Sequence, residues 1–271
     1  MPPKRHWTEL AWTDFAAGDT ENWIAVLPVA AVEQHGPHLP VGVDAMIAQG
    51  YLAEVLRLVP DDLPAVFLPL QAIGRSDEHV AFPGTLTLTP ETAIRVLTEI
   101  GESVARAGVR KLVIVNSHGG NSPILDIVAR KLRADAGMLV VSVAWQRFGY
   151  PEGLFSAVER QHGIHAGAIE TSLMLAFRPD TVRADRIADF PPASLSMEQE
   201  FRYLRADRPA GFGWMAQDLS ASGAMGDARE ASADKGAACA TYGARAFVEL
   251  LAEVQAFDLA RLAPGPLSGD D

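Results

Sequence analysis

Four short apolar runs, separated by segments with helical patterns, constrain the fold of this chain more than any other feature of its sequence. Each run is almost entirely hydrophobic, which is typical of a strand that is covered on both faces by helices. Polar or glycine-containing sequence follows each run. The predicted strands are Trp23 to Val32, Ala65 to Leu70, Lys111 to Val115 and Met138 to Ala144.

Helical patterns lie between these runs and after the last of them. Two predicted helices begin at Pro90 and Pro123, each directly after a Thr or Ser, an order that suits an N-cap followed by a proline in the first turn. Strands that alternate with helices predict an α/β fold with a mainly parallel sheet and helices on both faces. The predicted helices are Asp44 to Leu58, Pro90 to Ala107, Pro123 to Ala136, Ala166 to Phe177 and Ala238 to Phe257.

The composition fits one globular domain and argues against several classes of protein. The chain has 271 residues, of which 48% are hydrophobic, and α/β domains of this length often fold undivided. Its net charge of -11 argues against a broad nucleic-acid-binding surface, because phosphate contacts need clustered Lys and Arg. No secretory signal and no run of about 18 apolar residues is present, so we expect a cytoplasmic protein without membrane contact. The single cysteine, Cys239, excludes an intramolecular disulfide and is predicted to lie in a buried helix.

Two segments have weaker patterns. The stretch from Asp189 to Lys235 contains scattered Pro, Gly and Ser with few periodic positions, and we interpret it as a long, partly ordered excursion that forms a lid or an oligomer contact. The last residues, 263–271, are predicted to form a flexible tail. The predicted domain therefore spans residues 1–262.

Polar residues follow the predicted strands, and these are the first candidates for chemistry. In an open α/β sheet, ligands bind beyond the carboxyl ends of the strands. Glu33 and His35 come directly after the first strand, and their spacing of two places both side chains on one side of an extended segment. Asp44 follows at the start of a helix, and His118 comes after the third strand.

Two further places complete the set of candidates. Glu170 projects from an otherwise apolar helix, where an unpaired carboxylate would be costly and where metal coordination would remove that cost. Ser76, Glu78 and His79 follow the second strand. Each motif by itself also fits a structural role, in which Glu170 pairs with an Arg and His118 is a hydrogen-bonded core histidine. The convergence of three carboxylates and two histidines at strand and helix ends favours a single site.

Four motifs stand out in this sequence, and they are EQHGPHLPVGVD (Glu33 to Asp44), FPGT (Phe82 to Thr85), NSHGGN (Asn116 to Asn121) and HAGAIETS (His165 to Ser172). Together they resemble the creatininase family. The similarity extends over roughly Glu9 to Ala188, and the order and spacing of the motifs also fit. The resemblance implies a cytoplasmic amidohydrolase with a single three-layer α/β/α domain, a binuclear metal centre and frequently a hexamer.

The resemblance also implies a role for each candidate ligand. Asp44 would bridge two divalent ions in each subunit. One ion site would be completed by Glu33 and His118, and the other by His35 and Glu170. A mixed set of oxygen and nitrogen ligands suits Zn²⁺, Mn²⁺ or Fe²⁺, and two such ions activate a water molecule for attack on a carbonyl carbon.

This chain departs from creatininase proper directly after His118. The bulky aromatic residue and the acid of that enzyme are replaced by Gly119 and Gly120. The missing acid makes Glu170 the expected fifth ligand and puts creatinine in doubt as the substrate. Because the two glycines carry no side chains, we expect them to enlarge and line the substrate cavity.

One histidine is the expected proton carrier. His165 lies just before the helix that carries Glu170, and histidine titrates near neutral pH, so we expect it to protonate the leaving nitrogen. The resemblance supports the same role; the alternative is a histidine that only caps the helix or supports a ligand. The expected substrate contacts are Ser76, Glu78, His79, Gly119, Gly120 and Trp145.

These features predict hydrolysis of a C–N bond of a cyclic amide or formamide in a small molecule. Ring-opening of a cyclic keto compound is the alternative within the family. Binuclear sites also serve phosphoesterases, but no Gly-rich phosphate loop or basic cluster accompanies these residues. A non-catalytic assembly protein is disfavoured because all five ligand positions are filled. We expect a homo-oligomer.

Overall fold

Four parallel strands form the central sheet of the molecule. The strands are β1 (Ile24–Val29), β2 (Ala65–Phe67), β3 (Lys111–Asn116) and β4 (Leu139–Ala144). Their order is β2-β1-β3-β4, and every pairing between neighbours is parallel. The computed structural model describes residues 1–263, and all four strands lie within the predicted runs or within one residue of them. The predicted parallel sheet is therefore confirmed.

Nine α-helices are present in the part of the chain that the structure describes. The five predicted helices are all found, and four shorter ones were not predicted. The helices are α1 (Trp12–Ala17), α2 (Val43–Leu58), α3 (Pro90–Arg106), α4 (Ser122–Ala136), α5 (Ala157–His162), α6 (Ala168–Phe177), α7 (Ser194–Glu200), α8 (Ala216–Leu219) and α9 (Ala233–Ala256).

Side-chain hydrogen bonds cap the starts of α3 and α9 but not that of α4. Thr89 caps α3 as predicted, because its hydroxyl accepts a hydrogen bond from the Thr92 amide at 3.3 Å. Ser122 does not cap α4 but lies inside its first turn, because a turn of 3-10 helix leads directly into α4. α9 begins five residues before the predicted Ala238, since the Ser232 hydroxyl accepts from the Lys235 amide at 3.2 Å and caps the helix there.

Successive residues of the strands face two separate cores. Ile24 and Val26 of β1 pack in the core that is shared with α2, α6 and α9. Ala25 and Leu27 pack in the core that is shared with α3 and α4. Because side chains alternate along a strand, the sheet is buried on both faces, which explains its almost continuous apolar sequence. The result is the predicted three-layer α/β/α arrangement.

The stretch from Asp189 to Lys235 is more ordered than predicted. It contains α7, α8 and short strands, of which Asp189–Phe190 pairs antiparallel with Gly226–Asp227. A small core stabilises it, formed by Ala216, Leu219 and Met225. Periodicity over so few residues per element is too short to detect in the sequence, which explains the weak pattern. A role for this stretch as a lid or an oligomer contact stays a prediction.

Three smaller expectations concern the helices and the C-terminus. Cys239 is 1% exposed and lies in α9, as predicted. Within residues 1–263, no helix is both long enough and apolar enough to span a membrane. The predicted flexible tail lies outside the described residues beyond Ala263, and the boundary of the domain at residue 262 stays a prediction.

The contribution of the core is tested by two substitutions on one helix. Leu132 of α4 is fully buried, so Leu132→Ala is expected to lower the free energy of unfolding by about 2–5 kcal/mol. Ile127 lies on the same helix and is 52% exposed. Ile127→Ala is expected to change the free energy of unfolding by less than about 0.5 kcal/mol. Urea unfolding of both variants measures the difference, and equal losses would contradict this description of the core.

Candidate metal centre

The candidate residues meet beyond the carboxyl ends of the two central strands. Glu33 and His35 follow β1, and His118 follows β3. From β1 the chain crosses to β2 on one side, whereas from β3 it crosses to β4 on the other side. This reversal opens a crevice between β1 and β3, which is the usual ligand-binding position in open α/β sheets.

Two of the three carboxylates lie in the first turns of helices. Asp44 is in the first turn of α2, and Glu170 is in the first turn of α6. The positive end of a helix dipole stabilises a negative charge at this position. The two helices therefore offset part of the cost of holding these carboxylates in a site where Asp44 is only 1% exposed.

Glu33 and His35 project into the site from an extended segment. The Glu33 amide donates to Val41 O at 2.8 Å and thereby ties this segment to the loop before α2. His35 donates from Nδ1 to Glu33 O at 3.0 Å. This hydrogen bond leaves Nε2 of His35 free to face Asp44 Oδ1 and Glu170 Oε2, each at 3.7 Å.

His118 faces the other carboxylate oxygen of Asp44 and also the Glu33 carboxylate. Its Nε2 donates to Arg75 O at 2.9 Å, which leaves Nδ1 directed at Glu33 Oε1 (3.2 Å) and Asp44 Oδ2 (3.7 Å). The Asn116 side chain fixes the backbone of His118, because it accepts from the His118 amide at 3.1 Å and donates to the His118 carbonyl. Hydrogen bonds that fix the far nitrogen of a histidine are general in metal sites.

The donor atoms fit a bound cation. Within the described residues, Glu33 Oε1, His35 Nε2 and Asp44 Oδ2 are buried and have no hydrogen-bond partner. Buried polar atoms without partners are costly, and a metal ion would satisfy all three. Potential ligand atoms also lie within 4.8 Å of one another in three overlapping groups, which are Glu33-His35-Asp44, His35-His165-Glu170 and Glu33-His79-His165.

The pKa values of the candidate ligands also favour bound cations. Burial lowers the pKa of His118, but the Glu33 carboxylate and its neighbours outweigh this effect and raise the pKa to about 10. The pKa of His35 is likewise lowered by burial and then raised to about 9, chiefly by Asp44. Burial and the Asp44 charge raise the pKa of Glu170 to about 7. The carboxylates therefore favour positive charge at both histidines, and bound cations would take the place of the protons there.

His165 lies between the ligand residues and a second histidine. Its Nε2 donates to Gln34 O at 2.6 Å, so its Nδ1 faces Glu33 Oε1 at 3.6 Å without a proton. Its ring centroid lies 4.1 Å from that of His35 and 4.2 Å from that of His79. Burial, and then the positive charge of these neighbours, lowers the pKa of His165, so the imidazole is neutral at neutral pH.

Gln34 is a positioning residue that the sequence analysis missed. Its side-chain amide donates to His79 Nδ1 at 2.7 Å and to Gly223 O at 3.1 Å. It thereby fixes the His79 ring and connects the ligand segment to the stretch between Asp189 and Lys235. The only signal in the sequence is a polar residue between two candidate ligands, Glu33 and His35.

A strained turn precedes Glu170. Ala166 has a φ of +56°, which is unusual for a residue with a side chain and costs about 1 kcal/mol or more. Its amide donates to Glu170 Oε2. This conformation explains why α6 begins at Ala168 rather than at the predicted Ala166. The turn brings the His165 ring and the Glu170 carboxylate to the same side.

The predicted substrate contacts divide into two groups. The Ser76 hydroxyl donates to Glu33 Oε2, and His79 Nε2 lies 3.4 Å from Glu33 Oε1, so both residues contact a candidate ligand. Glu78 Oε1 lies 3.4 Å from His118 Nε2, and the Glu78 side chain is 15% exposed. Trp145 is different, because it packs in the core with its ring 4.3 Å from Tyr51 and nearly parallel to it. The position of Trp145 does not support a substrate contact.

The two glycines after His118 also differ from each other. A Cβ added at Gly119 would meet nothing within 4 Å, so the space beside it is open as expected. A Cβ added at Gly120 would lie 2.3 Å from Glu78 Oε1 and 2.4 Å from His118 Nε2. The expectation that Gly120 enlarges the cavity is therefore wrong, because Glu78 and His118 already fill that space.

Comparisons with known proteins identify relatives that cover almost the whole chain. A model of the creatininase family, described as creatinine amidohydrolase, matches residues 8–251. A creatinine amidohydrolase from Pseudomonas putida is 33% identical over 253 residues, which cover 84% of this chain and 88% of that protein. A mycofactocin precursor peptide peptidase from Mycobacterium ulcerans is 32% identical over 250 residues, which cover 90% of this chain and 88% of that protein.

A solved structure agrees with these sequence matches. A creatininase mutant of the Zn-Zn type has 29% sequence identity and a TM-score of 0.71, and the match covers 92% of this chain and 98% of that one. The fold, the motifs and the family match thus agree over nearly the whole chain. This chain belongs to the creatininase family and is a metal-dependent amidohydrolase.

Proposed function

We propose that this chain hydrolyses a C–N bond of a cyclic amide or formamide in a small molecule, with two divalent ions held in the crevice between β1 and β3. One observation carries the proposal. The two carboxylate oxygens of Asp44 face different histidines, with Oδ1 3.7 Å from His35 Nε2 and Oδ2 3.7 Å from His118 Nδ1. A carboxylate in this position suits a bridge between two cations.

The remaining ligands divide between the two sides of Asp44. Glu33 lies with His118, and Glu170 lies with His35. An alternative group uses His79 and His165 with Glu33. We favour the first assignment for two reasons. Among the described histidines, only His35 and His118 lie within 4.0 Å of the Asp44 carboxylate. His79 accepts a hydrogen bond at Nδ1, so its Nε2, which faces Glu33, carries a proton and is not free to bind an ion.

The chemistry of the donor atoms limits the choice of metal. Three carboxylates and two imidazoles suit Zn²⁺, Mn²⁺ or Fe²⁺, and no thiolate is present to favour a softer ion. The solved relative of the Zn-Zn type supports zinc as one candidate. When bound, the ions would polarise the scissile carbonyl group and acidify a water molecule.

His165 moves the proton that hydrolysis requires. Because its Nε2 proton is held by Gln34 O, the unprotonated Nδ1 is the nitrogen that faces the site. His165 accepts a proton there as water attacks the carbonyl carbon, and then donates it to the leaving nitrogen as the C–N bond breaks. This refines the expectation of a general acid, since the neutral ring acts first as a base.

The site is partly open to solvent. The Glu33, His35, Asp44 and His118 side chains are almost completely buried. The Glu170 side chain is 24% exposed, the Glu78 side chain is 15% exposed, and Gly119 is exposed. A substrate that enters beside Gly119 meets the Glu78 carboxylate, which favours a substrate group that donates hydrogen bonds.

A peptide substrate is the second candidate. The relative from Mycobacterium ulcerans is a peptidase for a precursor peptide, and it matches 90% of this chain. Hydrolysis of a peptide bond requires the same ions and the same proton transfer. The open side at Gly119 is the position where an extended peptide would leave the site.

The metal ligands are tested by comparing two alanine variants. Asp44→Ala removes the carboxylate that would be shared by the two ions, so it is expected to lower the metal content below the about two divalent ions per chain expected for the unmodified protein. His165→Ala is expected to keep the metal and to lose about a hundredfold or more in turnover of the best substrate. Elemental analysis after metal loading measures the first effect. Equal metal loss in both variants would mean that His165 is a ligand, and a wild-type content that never exceeds one ion would exclude the binuclear site.

The two adjacent glycines give a second test with a matched control. Gly120→Ala is expected to displace Glu78 or His118 and to weaken metal binding by about tenfold or more, because disturbed support of a ligand has effects of this size. Gly119→Ala meets no atom within 4 Å and is expected to keep the affinity of the wild type. Competition with a fluorescent chelator measures both affinities. Equal affinities in the two variants would contradict the packing described around Gly120.

The substrate class is tested with a panel of compounds. We expect turnover of cyclic amides or formamides, and slower or no turnover of peptides, cyclic keto compounds and phosphoesters. For creatinine we expect a kcat/KM below about 10⁴ M⁻¹s⁻¹. Gly119 offers no side chain to hold a flat ring, and lost positioning alone costs about a hundredfold. A higher value for creatinine, measured by steady-state kinetics with metal-loaded enzyme, would refute the argument from Gly119, and turnover of peptides alone would favour the second candidate.

A further inference from the structure

A buried carboxylate outside the metal centre has no role in the chemistry proposed above. Glu159 lies in α5 and is 4% exposed. Within residues 1–263 it forms no salt bridge with Lys, Arg or His. Its Oε1 accepts a hydrogen bond from the Ile169 amide at 3.2 Å, and the amides of Ala168 and Asp227 also face the carboxylate. These amides hold a charge that would otherwise be costly to bury.

The site of Glu159 is built from three glycines on two segments of the chain. A Cβ added at Gly163 would lie 2.3 Å from its carboxylate carbon, at Gly167 2.4 Å from Oε1, and at Gly226 2.7 Å from Oε2. Any side chain at these positions would displace the carboxylate. The backbone therefore encloses Glu159 closely, with glycine at each of the three contacts.

The contacts of Glu159 lie at the start of the helix that carries Glu170. Ala168 and Ile169 form the first turn of α6, where free amides and the helix dipole favour an anion. Directly before this turn is Ala166 with its φ of +56°. The hydrogen bonds to Glu159 thus fix the chain on one side of the strained residue, and the hydrogen bond from the Met225 amide to His165 O fixes it on the other side.

We propose that Glu159 is a positioning residue that holds the strained turn at Ala166, so that the His165 ring and the Glu170 carboxylate face the metal centre together. The inference rests on the proposed function, because it assumes that Glu170 is a ligand. Without the carboxylate, the first turn of α6 loses its acceptor. The turn at Ala166 then relaxes, and Glu170 moves away from His35.

The experiment compares two substitutions of glutamate. Glu159→Gln keeps the shape of the side chain but removes the charge and turns an amide group toward backbone amides. Glu198→Gln is the matched control, because the Glu198 carboxylate accepts from Gln161 and His162 of α5 and, within residues 1–263, forms no hydrogen bond with α6. Metal affinity is measured for each variant with zinc, and hydrogen exchange is measured over residues 163–172.

We expect Glu159→Gln to weaken binding of one of the two ions by about tenfold or more and to leave the other unchanged, since only the ligand Glu170 is displaced. Exchange over residues 163–172 is expected to become faster. Glu198→Gln is expected to match the wild type in both measurements. If Glu159→Gln does not fold, Glu159→Asp replaces it in the experiment. This variant keeps the charge but has a shorter side chain, and the same loss of affinity for one ion is expected.

A rescue separates positioning from a general loss of stability. Glycine adopts a φ of +56° without strain, so adding Ala166→Gly to Glu159→Gln is expected to restore much of the lost affinity. The proposal is overturned if Glu159→Gln binds both ions as the wild type does, if Glu198→Gln shows the same loss, or if Ala166→Gly restores nothing. If the wild type itself binds only one ion, the binuclear function has failed instead, and the exchange over residues 163–172 alone decides the role of Glu159.

Discussion

The mutual repulsion of three carboxylates in a nearly dry crevice is the constraint on which the rest of this structure depends. Glu33, Asp44 and Glu170 lie close together, and most of their surface is withdrawn from water. Such an arrangement persists only where positive charge compensates it. Two histidines and the N-termini of α2 and α6 supply part of that charge, and divalent ions would supply the rest. The positions of α2 and α6 and the hydrogen bonds of His35 and His118 help to compensate the negative charge of the three carboxylates.

The sequence predicts most of the fold, because the burial of a parallel sheet leaves a clear pattern. The apolar runs locate all four strands, and the motifs after β1 and β3 locate four of the five proposed ligands at one edge. Errors arise where a position depends on a partner far along the chain. Nothing in the local sequence shows that Ala166 adopts a conformation with positive φ. The Ser232 cap of α9 is different, because Ser232 lies only three residues before the amide that it accepts from, and the sequence analysis missed this local signal. The elements between Asp189 and Lys235 are hidden because each is too short to show a periodic pattern.

The residues around the site are harder to predict than the ligands themselves. A glycine indicates that a side chain is absent but not which neighbour fills the space, and Glu78 fills it at Gly120. An aromatic residue after a strand fits a pocket wall as well as a core, and Trp145 packs against Tyr51 in the core. Gln34 and Glu159 act through contacts with distant segments. Their roles appear only when the complete fold brings those segments together.

The pairing of the two central strands has a consequence for how the protein assembles. Ile24 of β1 pairs with Lys111 of β3, so the two strands are far apart in the sequence. The long loop between them must close before the centre of the sheet can form. Parallel strands that pair over such separations form slowly. The donor atoms span a still longer stretch, from Glu33 to Glu170. During synthesis, a chain that has emerged only as far as β3 therefore lacks His118 and Glu170, and the complete pocket exists only after α6 has docked.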